Sequence, residues 1–182
     1  MQQLLIITPV KDSIDHTVRT MEAVVQSELN VPHRYVVFND NSTPENTARL
    51  HTEAARLGVE VVDLATLTDH PSPNYLFVLR RCRKEALADD AGLLIVESDV
   101  TVQRDTLQKL FDGATARPNC GIAAAVTVDE EGKINYPYLY ARGKEGQDYD
   151  CKKHCSFCCS LLTPALLKAC DFDRLDDSKN WF

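Results

Sequence analysis

The 182-residue chain is 44% hydrophobic and 26% charged, ordinary globular proportions that exclude a disordered chain, and its length suits one domain with a sizeable core rather than two. The formal net charge is −7, and no basic stripe appears beyond Arg80-Arg81-Cys82-Arg83-Lys84, which argues against a polyanionic nucleic acid as partner. No run approaches the roughly 20 apolar residues of a membrane span, and Met1-Gln2-Gln3 enters Leu4-Leu5-Ile6-Ile7 with no basic leader. The expected compartment is therefore the cytosol, with membrane association left to a longer native chain. Seven cysteines, an odd number without an export signal, fit reduced thiols better than a disulfide framework.

Strand and helix patterns alternate along most of the chain. Gln3 to Val10 reads as a strand, and Ile14, Val18, Met21 and Val25 then recur at helical spacing. Arg34 to Phe38 is a second apolar strand ending at Asn39-Asp40-Asn41-Ser42. Ser42 or Thr43 can cap the next helix, Pro44 suits its first turn, and Gly58 suits its left-handed close. Val59 to Leu64 gives a third strand. A helix over about 74–88 presents Tyr75, Leu79, Cys82 and Ala86 on one face. Gly92 precedes the run Leu93-Leu94-Ile95-Val96, which has no alternation and so reads as a strand buried on both faces. A helix near 104–114 follows. This βα order predicts a mostly parallel α/β sheet with right-handed crossovers and helices on both faces.

The pattern changes after Pro118. Cys120 to Val128 reads as a strand, Asp129-Glu130-Glu131-Gly132 as a hairpin turn and Ile134 to Ala141 as the returning strand. Ser156 to Leu162 is another expected strand, followed by a short helix over 164–169. The second half is thus expected to be mixed, with phosphates bound by the first part and a second substrate by the other.

Three polar clusters fall at the C-terminal ends of the expected parallel strands: Thr8-Pro9-Val10-Lys11-Asp12, Asn39-Asp40-Asn41-Ser42 and Glu97-Ser98-Asp99. Parallel strands place these ends on one edge, where open α/β sheets bind ligands. Glu97 and Asp99 follow the buried fourth strand directly, so hard oxygen ligands stand ready there for a divalent cation, and through it for phosphates. The plainer reading makes each cluster a solvated loop; three in succession favour a site.

These pieces resemble the family 2 glycosyltransferases, which have the GT-A fold. The matching segments are Ile6-Ile7-Thr8-Pro9-Val10, Tyr35 through Thr43, and Leu94-Ile95-Val96-Glu97-Ser98-Asp99, where the family has its metal-binding Asp-x-Asp. The likeness covers residues 3 to about 175, within a single GT-A-like catalytic domain over 1–182: a nucleotide-binding half over 1–117 and an acceptor-side half over 118–182. It implies transfer of a sugar, with inversion, from a UDP- or GDP-linked donor to a saccharide, lipid-linked or protein acceptor, with Mn²⁺ or Mg²⁺ as cofactor. Carried over by position, Thr8, Pro9, Val10 and Asp12 line the nucleoside, Asp40 reads it, Glu97 and Ser98 face the ribose, and Asp99 with Glu97 holds the metal. Arg80 or Arg81 sits where members often place an arginine facing the nucleotide. Glutamate at 97 departs from the family's first Asp by one methylene. The family's acceptor-side base, about ten residues after a Phe-Asp such as Phe172-Asp173, falls at the end of the chain. Asp176 or Asp177 can serve, Asp177 being the catalytic candidate beside Asp99, and the expectation is a C-terminally truncated domain with an incomplete base.

Two rival functions keep the same fold. Nucleotidyl transfer uses similar metal ligands but a Gly-rich loop after the first strand, and residues 8–13 contain no glycine. A non-catalytic, metal-stabilised binding module is the other. It draws on Cys151, Cys155 and Cys158, whose C-x₃-C-x₂-C spacing beside His154 suits a structural Zn²⁺ or, less readily, an iron–sulfur cluster; the plainer reading is buried or loop thiols.

Overall fold

The computed structural model describes residues 1–175. Six strands form one sheet in the order β3-β2-β1-β4-β6-β5: β1 (Leu4–Val10), β2 (His33–Asn39), β3 (Glu60–Asp63), β4 (Gly92–Val96), β5 (Ile122–Ala124) and β6 (Cys159–Leu162). The first four are mutually parallel. β6 runs antiparallel to both β4 and β5, so the sheet is mixed only beyond β4. The order makes β1 the centre of the parallel part, and the chain switches direction of growth there, from β2 and β3 on one side to β4 on the other.

Alternation along β1 decides which layer each residue enters. Leu5 and Ile7 join Leu93 and Ile95 of β4 beneath α3 (Tyr75–Ala88) and α5 (Pro164–Ala169). Leu4 and Ile6 join Leu94 and Val96 against α4 (Thr106–Thr115). Val10 packs with Val37 against α1 (Ile14–Val25) and α2 (Pro44–Leu57). Helices therefore cover both faces, and all five residues of β4 are buried, as its unbroken apolar run requires.

The local signals hold where they rest on backbone chemistry. Thr43 caps α2 by accepting from Asn46 N, Pro44 stands in the first turn, and Gly58 closes the helix at φ 70°. Gly92 answers to crowding: a Cβ there would lie 2.8 Å from Leu161 Cδ1 and 2.9 Å from Leu4 Cδ2.

The expected hairpin is shorter than its sequence suggests. Val128 and Ile134 form a single antiparallel bridge, Asn135 N still donates to Thr127 O at 2.9 Å, and the ladder then stops. Pro137 has no N–H to continue it, and Tyr138–Ala141 coils into a 3₁₀ turn instead of a strand. The bend itself is held by Asp129 Oδ1, which accepts from Glu131 N and Lys133 N at 3.0 and 2.8 Å.

The basic run of α3 turns its two buried-side arginines onto the C-terminal part. Arg80 Nε donates to Phe172 O at 2.9 Å and its Nη2 to Leu175 O at 2.7 Å. Arg83 Nε donates to Leu167 O, near the end of α5, at 2.8 Å, satisfying a carbonyl that helix geometry leaves free. Among the described residues no helix is long and apolar enough to cross a membrane.

Replacing Gly92→Ala is expected to destabilise the fold by about 1–3 kcal/mol through overpacking. An unchanged urea midpoint would show that Leu4 and Leu161 can make room without strain.

Candidate functional site at the carboxyl edge of the parallel strands

The C-terminal ends of β2, β1 and β4 lie side by side, with β1 in the middle. At the spacing of neighbouring strands, the β2 and β4 ends are about 10 Å apart. One end carries Asp40 and the other Glu97 and Asp99.

At β1 the structure buries two of the four residues that the sequence placed against a nucleoside, Thr8 and Val10. Thr8 is fully buried, with its hydroxyl 2.9 Å from Tyr35 OH, and burial pushes the Tyr35 phenol pKa up. Val10 is a core residue. Pro9 alone of the three is partly exposed. Asp12, at φ 57°, accepts from Thr43 N at 2.7 Å and from Asn46 Nδ2 at 2.9 Å. Those bonds, the Asn46 amide first, lower its pKa and use its carboxylate to cap α2. Lys11 bridges the same two loops, donating to Asn41 O at 2.8 Å.

Asp40 is almost buried, at 8% exposure, and both of its oxygens are engaged. Oδ2 accepts from Ser72 Oγ at 2.8 Å and from Asn74 N at 2.7 Å; Oδ1 accepts from Asn74 Nδ2 at 2.8 Å. The carboxylate thereby holds the 70–74 loop over the end of β2. Beside it, Asn39 Nδ2 donates to Asp63 Oδ1 at 2.8 Å and ties β2 to β3. The loop and the strand ends enclose an open cleft of about 510 Å³ bordered by Lys11, Asn41, Thr68, Asp69, His70 and Ser72. Asn74 and Ser72 were not singled out from sequence, and Lys11 only as a member of the first polar cluster. Only the carboxylate at 40, which needs donors once buried, hinted that such partners exist.

At β4 the chain turns sharply. Glu97 N donates to Cys158 O at 2.8 Å, and Val100 N to Glu97 O at 3.1 Å. Glu97 and Ser98 are half-buried and Asp99 is exposed. Burial raises the Glu97 pKa, a hydrogen bond from the Cys158 thiol works against it, and the Asp99 charge adds to the rise. A cation between the two carboxylates would relieve both burial and repulsion. Among the described residues no three His, Cys, Asp or Glu side chains gather into a cation site. Mg²⁺-type binding needs only one or two carboxylates, with water and substrate phosphates completing the shell. Glu97 and Asp99 fit that requirement.

Other candidates lie elsewhere. Arg81 is exposed on α3, where its charge acts on Glu60 and Cys82 rather than on Glu97 or Asp99. Arg80 is committed to the C-terminal turn. The thiols expected to share a zinc do not converge. Cys151 Sγ donates to Tyr140 OH at 3.4 Å, and Cys158 Sγ lies 2.8 Å from Ser156 Oγ. Asp177 and Asp176 lie outside the described residues.

Removing the hub, Asp40→Ala, would strand the buried Asn74 N–H and amide, and is expected to cost about 1–3 kcal/mol. Amide hydrogen exchange should quicken over 70–74; unaltered protection there would show that the loop is held by other contacts.

No family profile and no curated protein sequence matches the chain. Solved structures do. It is similar to the mannosyltransferase PcManGT from Pyrobaculum calidifontis in complex with GDP-Man and Mn²⁺, with a TM-score of 0.53 at 17% identity, over 69% of this chain and 35% of that one. It is similar to S. aureus TarS 1-349 in complex with UDP-GlcNAc, with a TM-score of 0.51 at 16% identity, over 66% and 33%. Glucosyl-3-phosphoglycerate synthase from Mycobacterium tuberculosis in complex with UDP gives 0.50 at 15% identity, over 66% and 43%. The match thus takes in less than half the length of each of these proteins. With four parallel strands, a returning antiparallel pair and the acidic end of β4, the chain has the GT-A fold of nucleotide-sugar transferases.

Proposed function

We propose that this chain is the donor-binding part of a family 2, metal-dependent glycosyltransferase that moves a sugar, with inversion, from a nucleoside diphosphate to an acceptor hydroxyl. The observation that carries the reading is the pair Glu97 and Asp99 at the end of a fully buried parallel strand, about 10 Å from the β2 end across β1. That span suits a nucleotide laid along the edge, base toward the Lys11 and His70 cleft and diphosphate toward the carboxylates. The similar structures with GDP-Man, UDP-GlcNAc and UDP support a nucleotide-linked donor, and Mn²⁺ in one of them supports a divalent cation.

Asp99, exposed and free to reorient, would hold the cation, with Glu97 beside it. When bound, that cation supplies Lewis-acid stabilisation of the departing diphosphate. Asp40 shapes the nucleoside cleft through the 70–74 loop, since its own oxygens are occupied. Lys11, at the mouth of the cleft, offers the positive charge that an acidic protein needs to admit a phosphate-bearing ligand. Asp177 remains the proposed acceptor-side base.

Calorimetric titration of UDP and GDP, with and without Mn²⁺, tests the reading. One nucleotide should bind in a metal-dependent way, and Asp99→Asn should abolish that dependence with the fold intact. No binding of either nucleotide under any condition would overturn it.

Glu97→Gln separates folding from function. The folded-state pKa is raised, so the protonated form is the favoured one; the stability it lends is full below the unfolded value and lost as pH rises through the folded one. At neutral pH the neutral isostere should therefore raise the thermal midpoint of the metal-free protein while weakening Mn²⁺-dependent nucleotide binding. A lowered midpoint would show that the charged carboxylate is stabilising in the free protein.

A further inference from the structure

The half of the molecule after β5 carries a feature that the donor site does not use. Residues 136–140 and 151–158 fold against each other through three aromatic side chains and a histidine. Tyr138 is buried, accepts from Ser156 N at 2.9 Å and donates to Ser156 O at 3.2 Å. Tyr140 OH donates to His154 O at 2.6 Å, and its ring meets the His154 ring edge-on at 5.6 Å. These bonds set the backbone that presents Tyr136, whose side chain is spent on none of them. Tyr136 is 83% exposed, with its ring 6.5 Å from that of His154 at a tilt of 37°.

A single exposed tyrosine needs no explanation. This one is part of a braced assembly, and the bracing continues to the carboxylates. Ser156, held by Tyr138, lies 2.8 Å from Cys158 Sγ through its hydroxyl. The Cys158 carbonyl accepts from Glu97 N at 2.8 Å. One chain of direct contacts thus joins the aromatic platform to the end of β4.

We propose that Tyr136, with His154 beside it, is the platform that receives the sugar ring of a saccharide acceptor. The proposal rests on the glycosyl-transfer reading of the neighbouring carboxylates. A pyranose presents a face of C–H groups that carries slight positive charge, which suits the negative face of an aromatic ring. Its hydroxyls prefer water or polar side chains, and the surroundings supply both, since Lys152, Lys153 and the Arg142–Asp150 loop are largely exposed and charged. A hydrophobic peptide or lipid tail needs a wider apolar area than two rings and Leu139, 43% exposed, can offer. The two tilted rings make a shallow stand, which gives a disaccharide something to lie along. Tyr136 acts in holding the acceptor and takes no part in bond making.

Saturation-transfer NMR with maltose, cellobiose, chitobiose and α-1,2-mannobiose tests the proposal on the whole chain, beside calorimetric titration of UDP and GDP with and without Mn²⁺. At least one disaccharide should bind in the millimolar range, with saturation concentrated on one face of a ring. Affinity should fall about tenfold in Tyr136→Ala, the scale of one lost aromatic contact, and persist in Tyr136→Phe. Tyr136 is so exposed that neither change threatens folding, and an unaltered amide spectrum confirms it. Failure of all four sugars to bind, or equal binding by Tyr136→Ala, overturns the platform. The nucleotide titration reports on the donor site separately: nucleotide binding without saccharide binding sinks the platform alone, whereas saccharide binding without nucleotide removes the transferase reading and with it the acceptor role, leaving a saccharide-binding surface.

Discussion

Everything in this molecule depends on β4 being dry on both faces. Leu93 and Ile95 pack under α3 and α5 and Leu94 and Val96 against α4, and burial of such side chains stabilises by about 1.5–3 kcal/mol each. A strand so enclosed can tolerate polar side chains only where it leaves the sheet. Glu97 and Asp99 stand at that exit, and the neighbouring antiparallel strand β6 holds the exit in place through the Glu97 N to Cys158 O bond. The same constraint that makes the core thus creates the acidic edge.

The carboxylates at this edge do different work because their surroundings differ. Asp12 and Asp40 are saturated by N–H and O–H donors and serve as braces between loops. Glu97 is half-buried with a single thiol donor beside a second carboxylate, and its pKa is driven up in consequence. An acidic group with its hydrogen bonds complete has little left for a ligand, whereas an under-satisfied pair is suited to the cation proposed for it. The division between scaffold and site follows from that count of donors. Two arginines of the basic run of α3 are likewise committed to scaffold, since Arg80 and Arg83 donate to carbonyls at the end of α5 and in the turn after it.

Much of the fold was legible in the chain. The βα alternation, the cap and close of α2, and the unbroken apolar run of β4 are local consequences of side-chain periodicity and backbone conformation, and each appears where the pattern put it, within a residue or two. The hairpin after β5 was overextended because alternation continues through Ile134 and Tyr136, while Pro137 removes the donor that a longer ladder needs. At the site, the three polar strand ends were visible as clusters, and the parallel order brought them to one edge. What each side chain does there was not visible, because Thr8 and Val10 differ from Pro9 only in which way the pleat turns them.

The amino-acid sequence by itself determined the order of strands and helices, the parallel sense of the first four strands and hence the edge on which Asp40, Glu97 and Asp99 assemble, since these follow from periodicity and from the right-handedness of crossovers. Only the tertiary structure decided that Asp40 is locked by Ser72 and Asn74, that Cys151 and Cys158 take different partners, and that Tyr136 stands exposed on a braced loop linked to Glu97. Hydrogen-bond partners more than thirty residues apart are chosen by packing in three dimensions, and no local pattern in the chain records that choice.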